Sequence, residues 1–157
     1  MFKKLKPYVV SILIALGVGG LSALLTRNNM NIYDDYIMPP YAPPGWLFPV
    51  AWGILYVLMG ITAGHIITHK IRNPKAASEG LSIYYLSLFV NFFWSIIFFN
   101  MRFILLAFIW LLLLLGLVIF TVVKYRKVSK VAAYLQIPYI LWLVFAGYLN
   151  LSIYLLN

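Results

Sequence analysis

The residues best placed to do chemistry carry no charge. Asn91, Trp94, Ser95 and Phe98 fall at i, i+3, i+4 and i+7, which is one face of a helix. Pro138, Trp142, Ala146 and Asn150 follow at steps of four, and Trp52 and Tyr56 are four apart. Each set joins an aromatic ring to a polar or small neighbour. One reading is a pocket with apolar and aromatic walls and few polar groups to fix orientation. The other is helix packing, with asparagine as hydrogen-bonding glue. Spacing leaves both open. Trp46 and Trp110 are open to an interfacial aromatic-belt reading, which fits Trp52 and Trp142, further into their apolar runs than a run end, less well. Pro138, inside an apolar run, removes a backbone donor and predicts a kink.

Other chemistries lack their residues. Acid–base catalysis or proton coupling inside a membrane needs a carboxylate, Lys or Arg at depth, and the apolar runs contain none. No Walker-type glycine loop is present. His65 and His69 share a helix face. They read either as a metal or haem ligand pair or as a polar helix end beside Lys70. The glutamate of a zinc-protease motif is not between them. No metal site is expected, and no cysteine exists to form a thiolate site or disulfide.

The elements that must position these residues follow from composition. Of 157 residues, 64% are apolar and 10% charged, against about a quarter charged in an average soluble domain. Mean hydropathy is +0.96. A soluble domain of this size has too little interior to hide so much apolar surface, and disorder requires the opposite bias. A spanning helix needs about 20 mostly apolar residues. Five segments qualify: 7–26, 46–68, 81–100, 103–123 and 131–156. Continuous apolar runs of this length argue against a β-barrel. The first is longer than the apolar core of a typical signal peptide, and no small-residue cleavage site follows it. The expected fold is therefore an all-α, five-span bundle, residues 1–157 forming a single domain.

Basic residues set the orientation. Lys3, Lys4 and Lys6 precede the first span; Lys70, Arg72 and Lys75 fill the second loop; Lys124, Arg126, Lys127 and Lys130 fill the fourth. Only Arg27 and Arg102 fall on the other side. The rule that cytoplasmic loops are basic places the N-terminus in the cytoplasm and the C-terminus outside. The +9 net charge thus reads as topology, and no nucleic-acid partner is expected. The first loop, 27–45, is the long one. It holds Asp34, Asp35, Tyr33, Tyr36, Tyr41 and four prolines, a composition that suits an ordered lid. Ser11, Ala15, Gly19 and Ala23 repeat at four, and Gly60 and Gly64 form a GxxxG. Such strips allow close helix contact, within one chain or between two.

The same residues carry a family resemblance. The chain resembles the TspO/MBR family, the bacterial relatives of the mitochondrial translocator protein, over essentially its whole length. The matching features are Gly17, Gly19 and Gly20; Pro39-x3-Pro43-Pro44-x-Trp46 leading into Trp52-x2-Leu55-Tyr56-x2-Met59-Gly60; Asn91-x2-Trp94-x3-Phe98-Phe99; and Pro138-Tyr139-x2-Trp142 with Leu149-Asn150. The resemblance implies five helices around a pocket capped by the first loop, usually in a homodimer in the cytoplasmic membrane. It implies a receptor or sensor that binds porphyrins, haem and related tetrapyrroles, and isoquinoline-carboxamide or benzodiazepine-type drugs. No cofactor is required beyond the porphyrin or haem ligand. The ligand set it implies runs Tyr33, Trp46, Phe48, Trp52, Tyr56 and Asn91, then Trp94, Ser95, Phe98, Pro138, Trp142 and Ala146. Light- and oxygen-dependent porphyrin breakdown, attributed in bacterial members to pocket tryptophans, would fall on Trp52 and Trp142 as catalytic residues. Three positions depart from the pattern: Pro49 stands three before Trp52, Ile32 precedes Tyr33, and Ser87 replaces a frequent glutamine. The sterol-recognition pattern needs Lys or Arg after its tyrosine; Tyr154 is followed by Leu155-Leu156-Asn157, so sterol binding is not expected. The alternative function is a transporter of tetrapyrroles or other apolar ligands. The lack of a coupling charge and of an internal repeat weighs against active transport.

Overall fold

The computed structural model describes residues 1–157 and is entirely helical apart from turns. Helix α1 spans Phe2–Thr26, followed by a short 3-10 turn and the four-residue α2, Ile32–Asp35. Then come α3 (Leu47–His69), α4 (Pro74–Ser95) and α5 (Ile104–Arg126). Two pieces, α6 (Lys130–Leu135) and α7 (Ile137–Leu156), make the last span. Five helical segments are long and apolar enough to cross a membrane, matching the expected number of spans. Their outward side chains are apolar: Leu13, Leu112, Leu113, Phe120 and Val144 are all at least half exposed. In a bilayer that surface meets lipid tails, while each helix satisfies its own backbone groups.

The helices outrun the apolar segments at the basic end. There α4 begins at Pro74, ahead of the hydropathy boundary, because Asn73 accepts a hydrogen bond from the Ala76 amide at 3.1 Å and Pro74 occupies the first turn. Lys124 and Arg126 close α5 where cations favour a helix C-terminus, and Lys124 meets Glu79 at 2.5 Å. The kink expected at Pro138 appears as a one-residue interruption at Gln136, whose backbone stays in the right-handed helical region. Pro138 has no N–H to bond the Tyr134 carbonyl one turn earlier, so the interruption falls upstream.

The spans form a ring. Helix α1 packs between α3 and α4, and α5 between α4 and α7, while α6 closes the circuit on α3. The tightest seam is α1 against α3. A Cβ on Gly64 would stand 2.6 Å from the Tyr8 Cα, and one on Gly60 would strike the Ile12 backbone. Ser11 and Ala15 are buried on the facing strip of α1. The GxxxG therefore serves a contact within one chain, as does Gly19 of the small-residue repeat, which lies against the Tyr56 ring. Near this end His65 links three elements, its Nδ1 to the Tyr8 hydroxyl at 3.2 Å and its Nε2 to Ser129 Oγ at 2.9 Å. His69 stacks on it with ring centroids 4.1 Å apart. Both nitrogens of His65 are engaged in joining helices, which is the polar-helix-end reading of the pair.

Candidate aromatic cavity beneath the first loop

At the loop end the ring opens into a cleft enclosing about 950 Å³ of space, its open mouth included. Four helices supply its walls: Gly19, Ser22, Ala23 and Thr26 from α1; Phe48, Pro49, Trp52 and Tyr56 from α3; Trp94 and Ser95 from α4, with Phe98 and Phe99 just beyond; and Ala146, Leu149, Asn150 and Ile153 from α7. The first loop adds Met30, Ile32, Tyr33, Met38 and Gly45. No Lys, Arg, Asp, Glu or His lines it.

The cavity exists because α7 stands away from α3. The last span approaches α3 chiefly through α6, and towards the loop end aromatic rings occupy the space between. Trp52 is the hub of these rings. Its centroid lies 5.7 Å from Tyr56, 6.1 Å from Trp94, 6.2 Å from Tyr139 and 6.4 Å from Trp142. The last two contacts are edge-on, a favoured aromatic geometry. On the opposite wall α4 passes into a π-helical turn over Ile96–Asn100, marked by the Met101 amide bonding the Ile96 carbonyl at 3.0 Å. Trp94 stacks on Phe98 within that wall at 5.2 Å. π-turns interrupt helices frequently at functional sites.

The first loop is an ordered lid. The Tyr33 hydroxyl donates to the Pro43 carbonyl, and the Tyr33 ring stands 6.1 Å from Phe48. Partial burial raises the Tyr33 phenol above its usual pKa. Asp35 pairs with Arg102 at 2.6 Å. Asn157 holds the Ile37 backbone by both its amide groups, at 2.9 and 3.0 Å. Tyr41 stacks on Tyr148 at 5.2 Å and hydrogen-bonds Ser152. Arg102 is the only non-glycine residue at positive φ, 55°, a costly backbone setting that lies where it meets the lid.

The residues singled out from sequence fall into two groups. Tyr33, Phe48, Trp52, Tyr56, Trp94, Ser95, Phe98 and Ala146 line the cavity. Trp142 stands behind its wall, edge-on to Phe48 at 5.9 Å and to Trp52. Asn91 lies deeper and donates to the Tyr139 hydroxyl at 3.1 Å. Trp46 is 67% exposed at the start of α3, and Pro138 is exposed at the start of α7. The ligand set implied by the resemblance lacks Ser22, Thr26 and Asn150. Asn150 did carry a signal, since it continues the stepping of Trp142 and Ala146. Ser22 and Thr26 sit off the small-residue strip and had none. The lid residues other than Tyr33 come from a non-periodic loop and had no spacing signal either. Three buried polar atoms on the cavity wall have no partner in the protein: Ser22 Oγ, Trp94 Nε1 and Asn150 Oδ1. They are a hydroxyl, a donor and an acceptor left unpaired within the wall.

Comparison with known proteins agrees with the architecture. A sequence profile described as the TspO/MBR family matches residues 10–156. The chain is 30% identical to the tryptophan-rich protein TspO of Chlorobaculum tepidum, covering all of this chain (100%) and 99% of that protein. It is 35% identical to the tryptophan-rich protein TspO of Archaeoglobus fulgidus over 95% of each chain. It is 36% identical to the translocator protein of Bos taurus over 89% of this chain and 83% of that one.

Proposed function

The chain belongs to the TspO/MBR family of membrane proteins, and from that premise we propose that it is a receptor for porphyrins and related tetrapyrroles, held in the aromatic cavity under the first loop. The observation that carries this reading is the Trp52 cluster, four aromatic rings around one indole on the wall of an uncharged cleft. A flat, largely apolar macrocycle gains most from such walls, since each aromatic pair contributes ~0.5–1.5 kcal/mol beyond buried area. Its carboxylate arms would remain at the mouth, because the interior offers no cation to pair with them. Trp94 Nε1 and Asn150 Oδ1 supply one donor and one acceptor to fix orientation.

Photo-oxidative breakdown of the bound porphyrin, with Trp52 and Trp142 as the reacting indoles, is the finer part of the proposal. Trp52 lines the cavity and Trp142 touches it edge-on, so an oxidising equivalent generated at a bound ring has Trp52 as its nearest indole partner together with Trp94. With the N-terminus in the cytoplasm, as the basic loops favour, the cavity would lie on the outer side. The deciding experiment is spectroscopic titration of purified protein with protoporphyrin, first in the dark and then under illumination. Saturable dark binding with a shifted Soret band is expected. Absence of dark binding would end the receptor reading.

A further inference from the structure

We infer that the cavity is entered from the bilayer, through the seam between α1 and α3 at the loop end, by an amphiphile dissolved in that leaflet whose inserted part carries no net charge. The inference concerns access to the cavity described above. The wall residues show where it is open. Most are buried or half-buried, but Ala23, Met30, Gly45 and Pro49 are exposed. All of them flank this one seam: Ala23 on α1, Met30 in the turn after it, Pro49 on α3, and Gly45 just before α3.

The seam opens for a reason written into its contacts. At the basic end glycines let the two backbones touch, Gly64 on Tyr8 and Gly60 on Ile12. Further along, Gly19 meets the Tyr56 ring rather than backbone. The tyrosine acts as a wedge, and Gly19 has no room for a side chain over it. Beyond that point no hydrogen bond ties α1 to α3. The next residue of the α3-facing strip, Ala23, lines the cavity instead of packing on a helix.

The α3–α7 gap is filled by the Phe48, Trp52 and Trp142 rings, and the remaining edges are stitched. Asn100 donates to the Leu25 carbonyl at 3.1 Å and accepts from Asn29 at 2.8 Å, sewing the end of α1 to the end of α4. The lid is fastened to α7 by Asn157 and Tyr41, and to the α4–α5 turn by Arg102. The aqueous face is thus closed by several ties, while the lipid-facing α1–α3 seam has none. A ligand on this route crosses apolar surface only, and a formal charge there would be costly.

The chain has no cysteine, so a single Ala146→Cys places one thiol on a buried part of the cavity wall. The protein is reconstituted in phosphatidylcholine vesicles and exposed to pyrenylmaleimide dissolved in the bilayer, or to a sulfonated methanethiosulfonate added in water. The bilayer reagent is expected to label and the charged one not. Adding Ala23→Trp should slow labelling about tenfold, equivalent to ~1.4 kcal/mol on the entry barrier. Ala23→Leu, a smaller block at an exposed site, should slow it less. Arg102→Gln, which loosens the lid, should leave the rate unchanged. Labelling by the charged reagent, acceleration by Arg102→Gln with no effect of Ala23→Trp, or protection from both reagents would each overturn the portal. None of these readouts uses porphyrin. Failed porphyrin binding with intact labelling would remove the proposed ligand and leave the portal standing.

Discussion

The Asn91 amide donates to the Tyr139 hydroxyl at 3.1 Å, joining α4 to α7 directly behind the Trp52 indole. Asn91 is 1% exposed and Tyr139 2%. A bond so placed holds the cavity wall rather than its contents. Asn91→Leu should therefore lower stability by about 1–3 kcal/mol, since it leaves a buried hydroxyl unpaired. Thermal unfolding in detergent, followed alongside porphyrin titration, checks this. A large loss of affinity at unchanged melting temperature would instead put Asn91 in contact with ligand.

The α1–α3 seam gives a pair of opposite outcomes. Gly60→Ala drives a methyl into the Ile12 backbone and should cost about 1–3 kcal/mol by overpacking. Gly53→Ala, on the same helix with nothing within 4 Å, should be neutral or stabilising by up to about 1 kcal/mol. Denaturation of the two variants in matched detergent separates them, and equal effects would contradict the seam described here.

Trp52→Phe and Trp142→Phe keep an aromatic face but lose the indole. Each should weaken porphyrin binding by ~1 kcal/mol, the scale of one aromatic contact. Light-driven loss of bound porphyrin should fall much further if the indoles react. Trp110→Phe is the control: its Nε1 bonds the Val90 carbonyl at 2.7 Å, away from the cavity. Porphyrin absorbance against illumination time, normalised to bound fraction, is the measurement. Wild-type rates in both pocket variants would make the protein a binder and not an enzyme.

The lid ties are individually weak and jointly sufficient. The Arg102–Asp35 pair is about one-third exposed on each side, so Asp35→Asn alone should cost no more than about 1 kcal/mol. Combined with Asn157→Ala, which frees the Ile37 backbone, it should raise hydrogen exchange across residues 30–45 while the spans stay protected. Mass-spectrometric exchange reads this directly.

Topology is tested by a reporter fused after Asn157. Activity confined to the extracytoplasmic form of the reporter is expected. A cytoplasmic signal would reverse the charge argument and with it the side on which the cavity opens.

The division between what could be read from the sequence and what could not follows from how membrane helices are made. Each span satisfies its own backbone and must be apolar along its length. Hydropathy alone therefore marked five spans. The aromatic and small residues at helical spacing marked the faces that look inward. What such periodicity leaves undetermined is which inward face meets which neighbour, because helix association in a bilayer depends on side-chain fit across the chain. Two asparagines show the consequence. Asn91 and Asn150 both sit mid-span at helical spacing from a tryptophan, yet the fold turns Asn91 to Tyr139 behind the wall and Asn150 onto the cavity. Likewise one strip on α1 splits in function: Ser11 and Ala15 are buried in the bundle, while Gly19 and Ala23 line the cleft. The point of division is the Tyr56 ring lying against Gly19, a contact between residues far apart in sequence that only the packed bundle brings together.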